Sequence, residues 1–400
     1  MKSRWMPIVL LLGVLPCVGI MCGPDSGQPA TPCSSGTDVR NLDDSSIPQN
    51  VKTAIYYQPG PIISAYDPAN PSQPNSNFPS GKVVIIPFET PDYPRNPAIT
   101  ISYLTQVFFA SGQLSGPSVY HYFYENSYGQ FKISNGGIAN WVTLTKSLTS
   151  YVGFEGDAAL PRDVLAQANI NWSSLDTNGD KTISSAEAQI VFLVANGYSA
   201  ATRWFLNYPS NWKLGDPVPP EVNPLRVNTP SGIYEFKPRV VYIGTKTAAA
   251  SDAAVDPIRI LSTICHELCH AFFYLPDRYG NTGACGSGST GQYDMMSDNC
   301  QWHHMTMHDK MKIGWVQPKI IATHLGQCVA FPNSENFPAA LVLLAPATSQ
   351  KPLSTSEYWI VENRNKPSSL CNNCVLQTSI TPFADGVFDA GQPESGLAVW

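Results

Sequence analysis

Residues 256–279 read DPIRILSTICHELCHAFFYLPDRY, and this stretch decides how the rest of the chain is read. Ile258, Leu261, Ile264, Cys265, Leu268 and Phe272 recur at helical spacing, which predicts a buried helix between Asp256 and Tyr274. Inside it stands His266-Glu267-Leu268-Cys269-His270, an H-E-x-x-H. On a helix, positions i and i+4 share one face, so two imidazoles can reach one metal ion at about 2.0–2.1 Å each. Glu267 lies beside that face, where a carboxylate can take a proton from metal-bound water. The metal lowers the pKa of that water to about 7, which makes hydroxide available at neutral pH. The pattern marks His266 and His270 as zinc ligands and Glu267 as the catalytic base. Two buried structural histidines are the alternative that five residues alone leave open.

Such a centre needs a third protein ligand. Pro276 ends the helix in Leu275-Pro276-Asp277-Arg278-Tyr279, and the turn it imposes can bring Asp277 back to the metal. His303, His304 and His308 cluster downstream as competing candidates. Tyr293-Asp294-Met295-Met296-Ser297 reads as a methionine turn whose thioether closes the floor of the site. Two core methionines would leave the same trace.

Working outward, Val83–Phe88, Gln189–Ala195 and Val240–Ile243 are apolar strand candidates, and 99–112 is a candidate helix. Strand-like segments return at Ile320–Thr323, Ala339–Leu344 and Tyr358–Val361. Sheet segments flanking one central helix predict an α+β enzyme domain over 81–400. A second metal pattern is inserted in it. Asp176, Asn178, Asp180, Thr182, Ser184 and Glu187 stand at positions 1, 3, 5, 7, 9 and 12 of an EF-hand-spaced loop. Thr182 would contribute its carbonyl and Glu187 both carboxylate oxygens. Lys181 replaces the usual position-6 glycine, and Gly179 can supply some of the missing freedom. A structural calcium ion is expected, with a solvated acidic turn as the alternative.

The 400 residues are 43% hydrophobic and 14% charged, with net charge −6. That balance argues against disorder, and the lack of a basic patch argues against nucleic-acid binding. Lys2 and Arg4 precede an apolar run from Met6 to Met21, read as a signal peptide over 1–22 and not a stable membrane span. A retained anchor or a lipid-modified cysteine at Cys17 or Cys22 are the alternatives. Residues 23–80 are rich in Pro, Ser, Asn and Gly and predict a flexible N-terminal segment or propeptide. Eight cysteines remain after the signal, an even count that predicts disulfides in an exported chain. Cys265 and Cys269 are expected to pair with Cys285, Cys300 or others, since i,i+4 geometry suits a mutual bridge poorly. Cys371-x-x-Cys374 could instead be a redox or zinc pair. Asn171-Trp172-Ser173 is a glycosylation sequon, relevant only in a eukaryotic secretory pathway.

Several motifs in order resemble the immune-inhibitor-A-like family of secreted zinc peptidases, a metzincin-type group. They are the strand Val83–Phe88, Glu125-Asn126-Ser127-Tyr128-Gly129, the H-E-x-x-H followed by Leu275–Tyr279, Asp294-Met295-Met296-Ser297, the Asp309–Trp315 segment and Tyr358–Arg364. The resemblance runs from about residue 81 to the end. It implies a zincin-like catalytic domain with a mixed twisted sheet and makes Met296 the turn methionine. It also implies secretion, with protein or peptide substrates. Two positions depart from the family pattern. Asp277 stands seven residues after His270 instead of six, and Phe273 occupies a glycine position. The family strand matching Gly396–Trp400 normally continues, so a longer chain is expected. The expected activity is a zinc-dependent endopeptidase, acting as a monomer. Alternatives are a catalytically inactive, calcium-dependent binding or adhesion protein on the same fold, and a zinc hydrolase acting on another amide or glycan-peptide bond.

Overall fold

The computed structural model describes residues 37–56, 80–111, 118–151, 159–184, 186–195, 200–204, 225–237, 239–244, 257–273, 275, 277–278, 294–297, 303–322, 329–331, 334, 337–344, 358–364 and 396–399. The expected signal segment, the Cys371–Cys374 pair and every cysteine except Cys265 and Cys269 lie outside them. The chain divides into two compact units. The first holds 78–124 and 131–276; the second holds 1–77, 125–130 and 277–400. The protein is mixed α/β, with several sheets and six helices among the described residues.

In chain order the second unit comes first, with strand β1 (Thr37–Asp38) and helix α1 (Gln49–Tyr56). This part of the segment expected to be flexible is folded. Val39 and Leu42 join a buried cluster with Val329, Phe331 and Leu341, and β1 pairs in parallel with β12 (Val329–Ala330). Ile47, Val51 and Ile55 are buried with Met307, Met311, Val316 and Ile320. A few well-placed aliphatic side chains suffice to dock a short helix, although they are too few to raise the average hydrophobicity of a Pro- and Ser-rich stretch.

The first unit is built on a six-stranded sheet. Its strands are β2 (Ser80–Glu89), β3 (Lys132–Ile138), β4 (Val142–Thr143), β6 (Gln189–Val194), β7 (Ala200–Trp204) and β10 (Arg239–Gly244). The spatial order is β3-β2-β6-β10-β7, with β4 also on β2. All pairings are parallel except β10 with β7. Parallel pairing requires long crossovers, which here contain α2 (Ile101–Phe109), α3 (Val119–Asn126) and α4 (Ala159–Leu165). Val83 to Ile86 and Gln189 to Val194 are buried without a break, as expected for strands covered on both faces. The three apolar runs singled out in the sequence are therefore neighbours in one sheet. A smaller sheet of β5 (Thr182–Ile183), β9 (Gly232–Phe236) and β8 (Leu225–Thr229) lies in the same unit.

Helix α5 (Pro257–Phe273) packs on β10 and β7. Its end also meets β2. Phe123, Phe131, Phe272 and Phe273 form an aromatic cluster with ring centroids 5.2–6.0 Å apart, and Gly81 lies beneath it. A Cβ at Gly81 would stand 2.3 Å from Phe272 Cε1, 2.6 Å from Phe272 Cζ and 3.0 Å from Phe131 Cζ. Gly81→Ala should therefore lower stability by about 1–3 kcal/mol through overpacking, seen as a lower urea midpoint. An unchanged midpoint would mean that the Phe272 ring can swing aside.

The second unit continues with α6 (Met307–Ile313) and a sheet ordered β11 (Lys319–Ile321), β13 (Leu341–Leu344), β14 (Tyr358–Arg364), β15 (Gly396–Val399). Among the described residues no helix is long and apolar enough to cross a membrane.

Candidate metal centre

Helix α5 presents the histidines as the spacing predicted. His266 is fully buried, Glu267 is 5% exposed, and His270 is half-buried one turn on. The two imidazoles meet edge to face with centroids 4.7 Å apart. Their Nε2 atoms are 3.1 Å apart. Two nitrogens on one tetrahedral zinc would stand about 3.3 Å apart, so the pair is already near the spacing that a shared ion needs. Nδ1 of His270 lies against the carbonyl oxygen of Leu275. A carbonyl only accepts, so Nδ1 carries the hydrogen and Nε2 keeps its lone pair.

Asp277 completes the group. One ligand atom from each of His266, His270 and Asp277 lies within 4.8 Å of the other two. Among the described residues no other three His, Cys, Asp or Glu side chains converge as closely. The donor set of two imidazoles and one carboxylate fits a catalytic zinc, which takes three protein ligands and keeps one position open. The extra residue before Asp277 therefore does not keep its carboxylate away from the histidines.

Cys265 is a free thiol among the described residues, fully buried on α5, and burial pushes its pKa well above the ordinary value. The cysteines expected to pair with it lie outside the described residues. Cys269 is buried on the same helix.

In the second unit, Asp294 to Ser297 form the expected tight turn, with Met295 and Met296 fully buried. Asp294 Oδ1 accepts from the Met296 N–H at 3.1 Å. The Arg278 N–H donates to Met296 O at 2.8 Å. The Arg278 guanidinium donates to Asp294 Oδ2 at 2.9 Å and to Thr306 Oγ1 at 3.1 Å, and it pairs with Asp309. Burial alone would raise the Asp309 carboxyl, but Arg278 and His308 beside it hold it down at about 2.

Of the three histidines that are alternative ligands, His304 and His308 have other partners. His308 Nδ1 is 3.3 Å from Arg278 Nη2, and His303 is buried. His304 belongs to a polar network that the sequence did not reveal. Its Nε2 is 2.6 Å from Glu125 Oε1 and its Nδ1 is 3.2 Å from Lys310 Nζ. Lys310 also donates to Tyr128 Oη at 3.2 Å, and Tyr128 Oη donates to Ser334 O at 2.6 Å. An ammonium only donates, so Nδ1 of His304 accepts and its Nε2–H points at the carboxylate. Glu125, His304 and Lys310 are at most 2% exposed. The available signal was the joint presence of the Glu125–Gly129 and Asp309–Trp315 motifs, which gave no hint that they touch.

The predicted calcium loop has its own signature in the first unit. Lys181, at the position normally held by glycine, adopts φ 60°, and Gly179 adopts φ 76°. The left-handed turn is thus made despite the side chain. Asp176 Oδ2 accepts from Lys181 N–H at 3.1 Å. Asn178 Oδ1 and Asp180 Oδ1 accept from the N–H groups two residues on, at Asp180 and Thr182. Glu187 Oε2 accepts from the N–H and hydroxyl of Ser184, and its Oε1 from those of Thr177. Asp176 Oδ1 is buried with no hydrogen-bond partner. The carboxylates of Asp176, Asp180 and Glu187 do not all come within 4.8 Å of one another.

No protein-family model matches the chain, and no curated protein matches it.

Proposed function

We propose that the protein is an exported zinc-dependent endopeptidase with a zincin-like catalytic fold. The observation that carries this reading is the convergence of one ligand atom each from His266, His270 and Asp277, with the two imidazole Nε2 atoms 3.1 Å apart, next to a Glu that is not part of the converging group. The mostly parallel sheet under α5 and the buried Met296 turn agree with it.

Zinc held by these three residues supplies a Lewis acid for the scissile carbonyl and a water acidic enough to react near neutral pH. The protein does the rest. His270 is oriented by Leu275 O, so its Nε2 faces the ligand side. Glu267 takes a proton from the attacking water and passes it to the leaving nitrogen as the peptide bond breaks. Its 5% exposure favours that role, because a nearly dry carboxylate interacts more strongly with a developing positive charge than an exposed one.

We assign the loop Asp176–Glu187 to a structural calcium ion held by Asp176, Asn178, Asp180, the Thr182 carbonyl and Glu187. The partnerless Asp176 Oδ1 and the left-handed Lys181 support it.

One experiment tests both metals. The purified protein is stripped with a chelator, then given zinc alone or zinc with calcium. Hydrolysis of casein should vanish on stripping and return with one equivalent of zinc. Calcium should then raise the melting temperature further, because it binds only the folded loop. Purification without stoichiometric zinc would favour the non-catalytic alternative, and an unmoved melting temperature would remove calcium from the loop.

A further inference from the structure

Asp277 and Arg278 are consecutive, and Arg278 is held far more firmly than a loop residue needs to be. Its guanidinium is 16% exposed, while the two carboxylates it pairs with, Asp294 and Asp309, are 0% and 1% exposed. Burying one cation with two carboxylates is costly, and such clusters rarely add net stability. A geometric role is the better account of why they are there.

The geometry is a closed ring. Arg278 N–H donates to Met296 O, Met296 N–H donates to Asp294 Oδ1, and Asp294 Oδ2 accepts from Arg278 Nη1. The ring fixes both the main chain and the rotamer of Arg278. The planar fork of the guanidinium adds Thr306 and Asp309 at the start of α6. The peptide unit joining residues 277 and 278 is planar. The N–H anchored on Met296 O therefore sets the orientation of that plane, and the plane sets the direction in which Asp277 leaves it. On the other side, Leu275 O is engaged by His270 Nδ1.

We infer that Arg278 is a positioning residue that aims the Asp277 carboxylate at the metal through a clasp on Asp294, Met296, Thr306 and Asp309. The inference rests on the zinc reading proposed above. It also gives the methionine turn a second task, since the Met296 carbonyl serves as the anchor.

Its test is a double-mutant cycle read out as zinc affinity by chelator competition, with the visible spectrum of the cobalt-substituted protein as a second readout. Arg278→Met should weaken zinc binding about 10–100-fold, the range for residues that orient a ligand. Asp277→Asn should weaken it at least as much, and the double variant should be no worse than Asp277→Asn alone. Multiplying losses in the double variant would overturn the proposal, because a structural effect of Arg278 does not pass through Asp277. Should Arg278→Met fail to fold, Arg278→Lys takes its place. It keeps the charge but cannot fork, so it should fold, bind zinc less tightly and shift the cobalt bands. Parent-like bands and affinity in Arg278→Lys would also overturn the proposal. If Asp277→Asn leaves zinc affinity unchanged, the ligand assignment itself falls. If Asp277→Asn loses zinc and the Arg278 variants do not, only the clasp falls.

Discussion

Glu267→Gln should keep one zinc per chain and lose peptide hydrolysis by about 10²–10⁴-fold, the contribution typical of a positioned general base. The split between binding and turnover follows from the geometry. His266, His270 and Asp277 form the converging group and Glu267 stands outside it, so an amide at 267 removes no ligand. Glutamine matches glutamate in size, so the 5% exposed position tolerates it sterically. What it cannot do is accept a proton. The measurement is zinc content alongside kcat on a chromogenic peptide. A variant that keeps parent-like turnover sinks the assignment of the base. A variant that loses zinc as well shows that Glu267 also supports the ligands.

Lys310→Met should cost about 3–5 kcal/mol, the loss expected when one partner of a buried ionic network is removed. Glu125, His304 and Lys310 are buried together in the second unit, and the lysine is the cation that balances the carboxylate. Methionine has nearly the same length, so packing is retained and the loss is electrostatic. It leaves His304 Nδ1 and Tyr128 Oη each without a donor 3.2 Å away. Guanidinium unfolding followed by circular dichroism gives the number. Glu125→Gln added to Lys310→Met should recover part of the loss by removing the surplus charge. A single variant as stable as the parent would show that water or another group supports the carboxylate.

Much of this is legible in the sequence. The 3.6-residue recurrence over Ile258–Phe272 located α5 to within a residue or two of Pro257–Phe273, and apolar runs located β2, β6 and β10. Periodicity reports which face is buried, so it could not say that β6 lies between β2 and β10. Helix α3 escaped assignment because its aromatics crowd adjacent positions. Only burial separates Val119, Tyr122, Phe123 and Asn126, all 0% exposed, as a helical face. At the site, the histidines were legible because one helix carries both. Asp277 was open because its reach depends on a turn, and the partners that restrain Arg278 are sixteen to thirty-one residues away in sequence. Lys181 illustrates another case: Gly179 was expected to supply the freedom of the missing glycine, and both Gly179 and Lys181 adopt positive φ, 76° and 60°. Hydrogen bonds at Asp176 and Asp180 hold the turn on both sides.

The close approach of Gly81 to Phe272 also has a mechanical side. Two residues past His270, the ring rests on bare strand backbone, with no aliphatic side chain between them as a cushion. A contact of that kind is nearly incompressible. Hydrostatic pressure acts on proteins by eliminating internal voids, and a ring seated directly on strand backbone leaves little space for one at this contact. Elsewhere in the core pressure can squeeze side chains closer. At this end of α5, two residues past His270, the approach of helix to strand is set by the Phe272 ring resting on Gly81.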